Sequence, residues 1–180
     1  MSQDEEARLS VPVAKADHSA GGDAARVTLL EYGDYQCPFC GQAYPMVKAI
    51  QHRMGSSLRF VFRNFPLTNA HPFAEAAAEA AEAAASQGKF WEMHDFLYEN
   101  QANLGPGLLV EAASSLKLDA KLFLGDLKAR KYKERVRRDF MGGVRSGVNG
   151  TPGFFVDDVR FDGSWASGEL AEALAALARD

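Results

Sequence analysis

Hydrophobic and polar positions divide the chain into three stretches with different periods. In the first, Val27, Leu29 and Leu30 make a short apolar run over 27–32, bounded by Gly33, the mark of a buried strand. The segment after Pro38 reads as a helix to about residue 54, with Gly55 as its stop and a kink at Pro45. Residues 58–64, LRFVFRN, set Leu58, Phe60 and Phe62 between Arg59 and Arg63, which is strand alternation. Strand, helix and strand in this order predict a β-α-β unit, with a right-handed parallel crossover as the default.

From 72 to about 142 the period becomes helical. FAEAAAEAAEAAASQG puts Glu75, Glu79 and Glu82 on one face and Phe73, Ala77, Ala80 and Ala84 on another, and Gly88 ends it. Phe90, Trp91, His94, Leu97 and Tyr98 recur at helical spacing over 90–100. Gly105-Pro106-Gly107 is a break, and further helices are predicted over 108–118, 120–129 and 132–144. The basic run 128–138 alternates with acidic and apolar residues and reads as a solvated helix face. In the third stretch, GVNGTP at 147–152 ends the helical signal. Apolar runs at 153–156 and 159–161 flank Asp157-Asp158 as a hairpin, and Ser167 is the expected N-cap of a terminal helix carrying Leu170, Leu174 and Leu177. At the other end, residues 1 to about 8 are polar and expected to be disordered. Residues 9–13 read as an edge strand, where Pro12 is tolerated, and 17–25 as a loop containing Gly21 and Gly22. The predicted organisation is a tail with a possible edge strand (1–26), a β-α-β part (27–67), an inserted helical subdomain (68–146) and a β-β-α part (147–180).

Composition narrows the function only by exclusion. The 180 residues hold one good-sized domain, or a small domain with a substantial insertion, and 47% apolar with 24% charged residues is ordinary for a globular protein. A net charge of −4 gives no electrostatic case for nucleic acid or an anionic membrane as partner. No apolar run approaches the roughly 18 residues a membrane span requires. MSQDEEARLS has no apolar core of a secretory signal, so a cytoplasmic address is expected, the alternative being periplasmic or extracytoplasmic if a signal has been removed. In the cytosol disulfides are rarely structural, so the two cysteines, Cys37 and Cys40, point to redox catalysis or metal binding rather than to a staple.

The spacing of those cysteines carries the chemistry. Strand, tight loop and helix place Cys37 at a helix N-terminus, where N–H groups and the macrodipole favour a thiolate, and Pro38 suits the first helical turn. Cys40, one turn on, is placed to attack a mixed disulfide at Cys37 and release a substrate. CxxC also supplies two zinc ligands, but tetrahedral zinc needs two more, and His18, His52, His71 and His94 are scattered and read as structural or surface residues. Cysteine-protease chemistry would need a positioned Cys–His pair, which a CxxC does not favour. Glu31 lies in an otherwise apolar strand. It is either a buried carboxyl with a raised pKa, suited to proton transfer with Cys40, or a strand-end residue reaching water. Tyr35, Phe39, Trp91 and Phe154 are candidates for an apolar rim or for the core. Pro152 on its own reads as a turn proline before the hairpin.

Four separated features in order, Glu31 six residues before Cys37, CPFC, Pro45 within the following helix and Gly150-Thr151-Pro152 before the late hairpin, resemble the DsbA-like thiol-disulfide oxidoreductases. NFPLTNAHPFAEAAAEAAEAA also looks like the entry to the helical domain of that branch. The similarity runs from about residue 9 to 178, and is to small single-domain members and to domains fused to bacterial sodium/proton antiporters. The resemblance implies an α/β, thioredoxin-like fold with an inserted helical subdomain. It implies protein thiols and disulfides as substrates, a redox partner or glutathione, a monomer, and a redox-active disulfide in place of any metal or cofactor. It also implies a cis peptide between Thr151 and Pro152, facing the CxxC, with the Thr151 backbone open to an extended substrate segment. Pro38, Phe39, Thr151 and Pro152 are thus expected at the substrate, and Cys37, Cys40 and Glu31 in the chemistry. Phe39 stands where the best-known members carry histidine, so a less extreme thiolate and a weaker oxidant are expected. The competing function is a redox-sensing or interaction module without turnover; isomerase-type use with glutathione fits less well, since such relatives usually lack the full CxxC.

Overall fold

Unbroken apolar runs make the two central strands. The computed structural model describes residues 7–179; residues 1–6, most of the stretch expected to be disordered, lie outside the described residues. The strands are β1 (His18–Ala20), β2 (Val27–Gly33), β3 (Leu58–Asn64), β4 (Gly153–Val156) and β5 (Val159–Arg160). They form one sheet in the order β1-β3-β2-β4-β5. Six of seven residues in both β2 and β3 are buried, as befits interior strands covered on both faces. Antiparallel pairing sets Leu30 opposite Phe155 and Glu31 opposite Phe154, and β1 lies antiparallel on β3 with Ser19 opposite Val61. The helices are α1 (Pro38–Met54), α2 (Ala74–Ala85), α3 (Phe90–Glu99), α4 (Pro106–Ser115), α5 (Ala120–Lys128), α6 (Lys133–Arg145) and α7 (Glu169–Leu177). Gly55 at φ +52° ends α1 and Gly88 at φ +74° follows α2. The structure shows the expected α/β architecture, thioredoxin-like with its helical block between β3 and β4.

The chain separates into two compact units. One holds the residues up to Gly33, Gln42–Arg63 and those from Met141 onward, and so contains the sheet; in it α7 packs its buried Leu170 and Leu174 toward β2. The other joins Asp34–Gly41 with Asn64–Phe140; in it α2 packs on α3 and α5, and α4 on α5.

Several local expectations change. Residues 9–13 form no strand, and the edge strand is β1, inside the expected loop 17–25. Arg63 engages both stretches. Its guanidinium takes the carbonyls of Val11 (2.8 Å) and Pro12 (3.0 Å), both carboxylate oxygens of Asp17 (2.9 and 2.8 Å) and the Tyr32 hydroxyl (3.0 Å). The three residues after Asp17 lie on the flank of β3, while the segment before Val11 reaches β5 instead, with Arg8 bridging Val159 and the Leu9 N–H donating to the Asp158 carbonyl (2.9 Å). Arg63 is therefore not on a wet strand face but 3% exposed. Burial alone would loosen its proton, and the hydrogen bonds to Asp17 and Tyr32 more than reverse this, raising its pKa. Outside the sheet, Ser167 does not cap α7; its hydroxyl bonds Ser164 and Glu169, and Gly168 at φ +93° occupies the N-cap. The 128–138 run is exposed at most of its positions, as expected, but two of its arginines also pair within the helical unit. Arg130 pairs with Glu75 (2.9 Å) and the buried Glu79 (2.5 Å), and Arg135 with the buried Glu82 (3.7 Å) and Asp139.

Breaking one side of a buried ion pair strands the other charge, at a cost of about 3–5 kcal/mol, while replacing both sides with apolar groups costs far less. Asp17→Ala is expected to lower stability by that amount in urea denaturation, and Asp17→Leu with Arg63→Met to recover most of it. Equal losses in the two proteins would mean that the pair itself does not hold this corner.

Candidate active site at the CPFC turn

β2 ends at Gly33 and the chain turns at once, the Cys37 N–H donating to the Asp34 carbonyl (3.1 Å). The Cys37 carbonyl then accepts the first helical bond of α1 from the Gly41 N–H (3.1 Å). Cys37 is thus the N-cap of α1 and Pro38 its first helical residue, where a missing N–H costs nothing. Cys37 is 4% exposed and Cys40 0%. The two residues between the cysteines, Pro38 and Phe39, are exposed, Phe39 at 59%. The Asp34 N–H donates to Cys40 Sγ (3.5 Å), so the sulfur one turn into the helix has a backbone donor.

Asp34 also fixes the turn with its carboxylate. Oδ1 accepts the Gln36 N–H (2.7 Å), and Oδ2 accepts the Leu67 N–H (2.9 Å) and His71 Nδ1 (2.7 Å). The Gln36 side chain accepts the Phe73 N–H (2.7 Å). Gln101 Nε2 donates to the carbonyls of Tyr35 and Cys37, both at 2.9 Å. The Tyr35 hydroxyl shares a hydrogen bond with His94 Nδ1 (3.1 Å), and the Tyr35 ring meets Tyr98 with centroids 4.9 Å apart. These residues all belong to the helical unit.

Sequence reasoning missed Asp34, Gln36, His71 and Gln101. Asp34 just past a strand end is an Asx-turn signal that was readable; Gln101, sixty-four residues from Cys37, carried none. Of the aromatic candidates, Tyr35 and Phe154 are core, Trp91 is half-buried and Phe39 is open. In the sheet unit, Glu31 is 2% exposed, which removes the reading of a strand-end residue reaching water. Thr151 and Pro152 are half-buried and joined by a cis peptide. Among the described residues no group of three or more His, Cys, Asp or Glu is arranged to hold a metal ion, and no helix is long and apolar enough to cross a membrane.

The family model described as thioredoxin matches residues 14–176. A Na(+)/H(+) antiporter NhaA 1 of Salinispora arenicola is 45% identical over 167 residues, 92% of this chain and 26% of that protein. The chain thus spans about a quarter of the length of the antiporter relatives it matches. BdbD from Bacillus subtilis, solved oxidised, superposes with a TM-score of 0.85 at 25% identity, over 97% of this chain and all of that one. Wolbachia pipientis α-DsbA1 shares the fold with a TM-score of 0.76 at 18% identity, over 94% and 96% of the two chains. These neighbours overturn the cytoplasmic address expected from the N-terminal residues, because DsbA-like oxidoreductases of this kind work outside the cytoplasm. The chain belongs to the thioredoxin family, and its fold is that of the DsbA-type structures.

Proposed function

We propose that Cys37 is the exchanging cysteine and Cys40 the resolving one, in net oxidation of protein dithiols. The observation that carries this is Cys37 at the N-cap of α1, with Cys40 one turn later, buried and facing the Asp34 N–H. A substrate thiolate attacks the Cys37 sulfur of the Cys37–Cys40 disulfide; a mixed disulfide forms and Cys40 leaves as a thiolate. A second substrate thiolate then attacks the substrate sulfur of that mixed disulfide, closing the substrate disulfide and releasing Cys37 as a thiolate. Two electrons have moved from substrate to enzyme, and a disulfide-bearing redox partner takes them up again. In the reverse direction Cys37 attacks and Cys40 resolves. The helix N-terminus favours the Cys37 thiolate, which makes it both a good nucleophile and a good leaving group. The cytosolic argument for a reductant falls with the cytoplasmic address, which supports oxidation.

Substrate segments meet Pro38, Phe39, Thr151 and Pro152 in this proposal, and Phe39 offers them an exposed apolar ring. Glu31, buried in β2, serves proton transfer at Cys40, the role its cost of ionisation suits. The reaction needs no metal or organic cofactor, since the disulfide is itself the electron carrier.

Oxidation of a reduced peptide at many turnovers per enzyme, with glutathione disulfide as recycler, is the expected result, abolished by Cys37→Ser. Cys40→Ala is expected to accumulate the mixed disulfide, visible by mass spectrometry; a single stoichiometric exchange in the wild type would favour the sensor reading instead. With both cysteines present, Glu31→Gln is expected to slow the attack of Cys40 on a mixed disulfide at Cys37, in the reducing direction, by roughly 10²-fold, the lower end of acid–base catalysis, and an unchanged rate removes Glu31 from the mechanism. Phe39→His is expected to raise the reduction potential by about 30 mV, a tenfold shift in the glutathione equilibrium; no rise would separate this position from control of the potential.

A further inference from the structure

Gln101 stands in the short turn Gln101–Asn103 that follows α3, far in sequence from the CPFC turn. Its carboxamide nitrogen lies 2.9 Å from both the Tyr35 and the Cys37 carbonyl oxygens. Carbonyl oxygens only accept, so the NH2 group is turned toward them and Oε1 away, toward Gly41. A Cβ on Gly41 would overlap Oε1 and stand 3.0 Å from Cδ and 3.2 Å from Nε2. Gly41 does not have the left-handed backbone that calls for glycine. It is glycine because the side chain of Gln101 occupies the place of its Cβ.

We propose that Gln101 is a positioning residue for the exchange at Cys37, and that Gly41 is its required counterpart; this rests on the reading of Cys37 as the exchanging cysteine. The Cys37 carbonyl accepts two hydrogen bonds, the first of α1 from Gly41 and a second from Gln101. The Tyr35 carbonyl is held by the same NH2 group, so the Tyr35–Gln36 and Cys37–Pro38 peptide planes are fixed by one side chain. Fixing the N-cap carbonyl fixes the thiol at the positive end of the helix. The thiolate gains from the macrodipole only within the first turn, so loosening the clamp costs thiolate and not merely packing.

The test measures, for wild type, Gln101→Leu, Gly41→Ala and Gln101→Ala with Gly41→Ala, the Cys37 thiolate by ultraviolet absorbance against pH and the dithiol–disulfide equilibrium with glutathione. Gln101→Leu keeps the bulk and loses both hydrogen bonds. It is expected to lower the thiolate-to-thiol ratio at fixed pH by about 2- to 5-fold, the span of a helix-terminus interaction, and to shift the glutathione equilibrium toward the oxidised pair by the same factor. Gly41→Ala is expected to do the same by displacing Gln101, and to add nothing in the Gln101→Ala background. If Gln101→Leu does not fold, Gln101→Asn, a carboxamide one methylene short of the two carbonyls, gives the same readouts. A titration and an equilibrium that match wild type in both the Gln101 variant and Gly41→Ala overturn the clamp. Absence of exchange with glutathione in the wild type overturns the reading of Cys37 and the clamp with it, so the two failures are distinct.

Discussion

A carboxylate with its side chain wholly out of water is tolerable only when its oxygens are satisfied, and Asp34 meets this with three donors: two backbone N–H groups, from Gln36 and Leu67, and the His71 ring. Because Leu67 and His71 lie on the segment leading into the helices, satisfying Asp34 also ties the CPFC turn to that segment. The N–H of the same residue reaches Cys40 Sγ. The cysteine pair is thus set by a polar network at the foot of the turn.

The parts of the fold that sequence made legible are those whose information is local. β3 falls on residues 58–64 as expected, α1 stops at Gly55, and the hairpin turns at Asp157, because alternation, glycine and turn residues act within a few positions. β1 was illegible for the opposite reason. Three residues, His18-Ser19-Ala20, have no period, and the Asp17 just before them is held by a guanidinium forty-odd residues away in the sequence. The site divides in the same way. CPFC, Glu31 and Thr151-Pro152 were readable, whereas Gln101 and His71 act through distance in the fold, and a lone glutamine or histidine on a helical stretch looks like any surface residue.

Charge was the most misleading signal. Glu75, Glu79 and Glu82 share a helix face, and Arg130 and Arg135 belong to a basic run, so each taken alone looks solvated. Arg130 and Glu75 do keep contact with water, but Glu79 and Glu82 are buried against the arginines. Asn64, at the end of β3, donates to Glu82 (2.8 Å) and Asp139 (3.3 Å), and Arg135 reaches both carboxylates. The result is a buried polar knot within the helical unit. Burying such groups is tolerable only among partners, so no member of the knot is identifiable before its partners are.

The alanines of α2 set a limit on how this protein can change. Seven of its twelve residues are buried alanines, and α3 and α5 pack against them. A helix of so small a radius lets its neighbours' backbones approach closely, and the apolar bulk of that core comes from the other side, from Met93, Leu97 and Phe123. Those large residues can exchange volume with one another over generations, a methylene lost here and gained there. Along α2 there is no volume to give back and no room to add any, so sequence drift in the helical unit is channelled onto its larger helices while α2 stays thin.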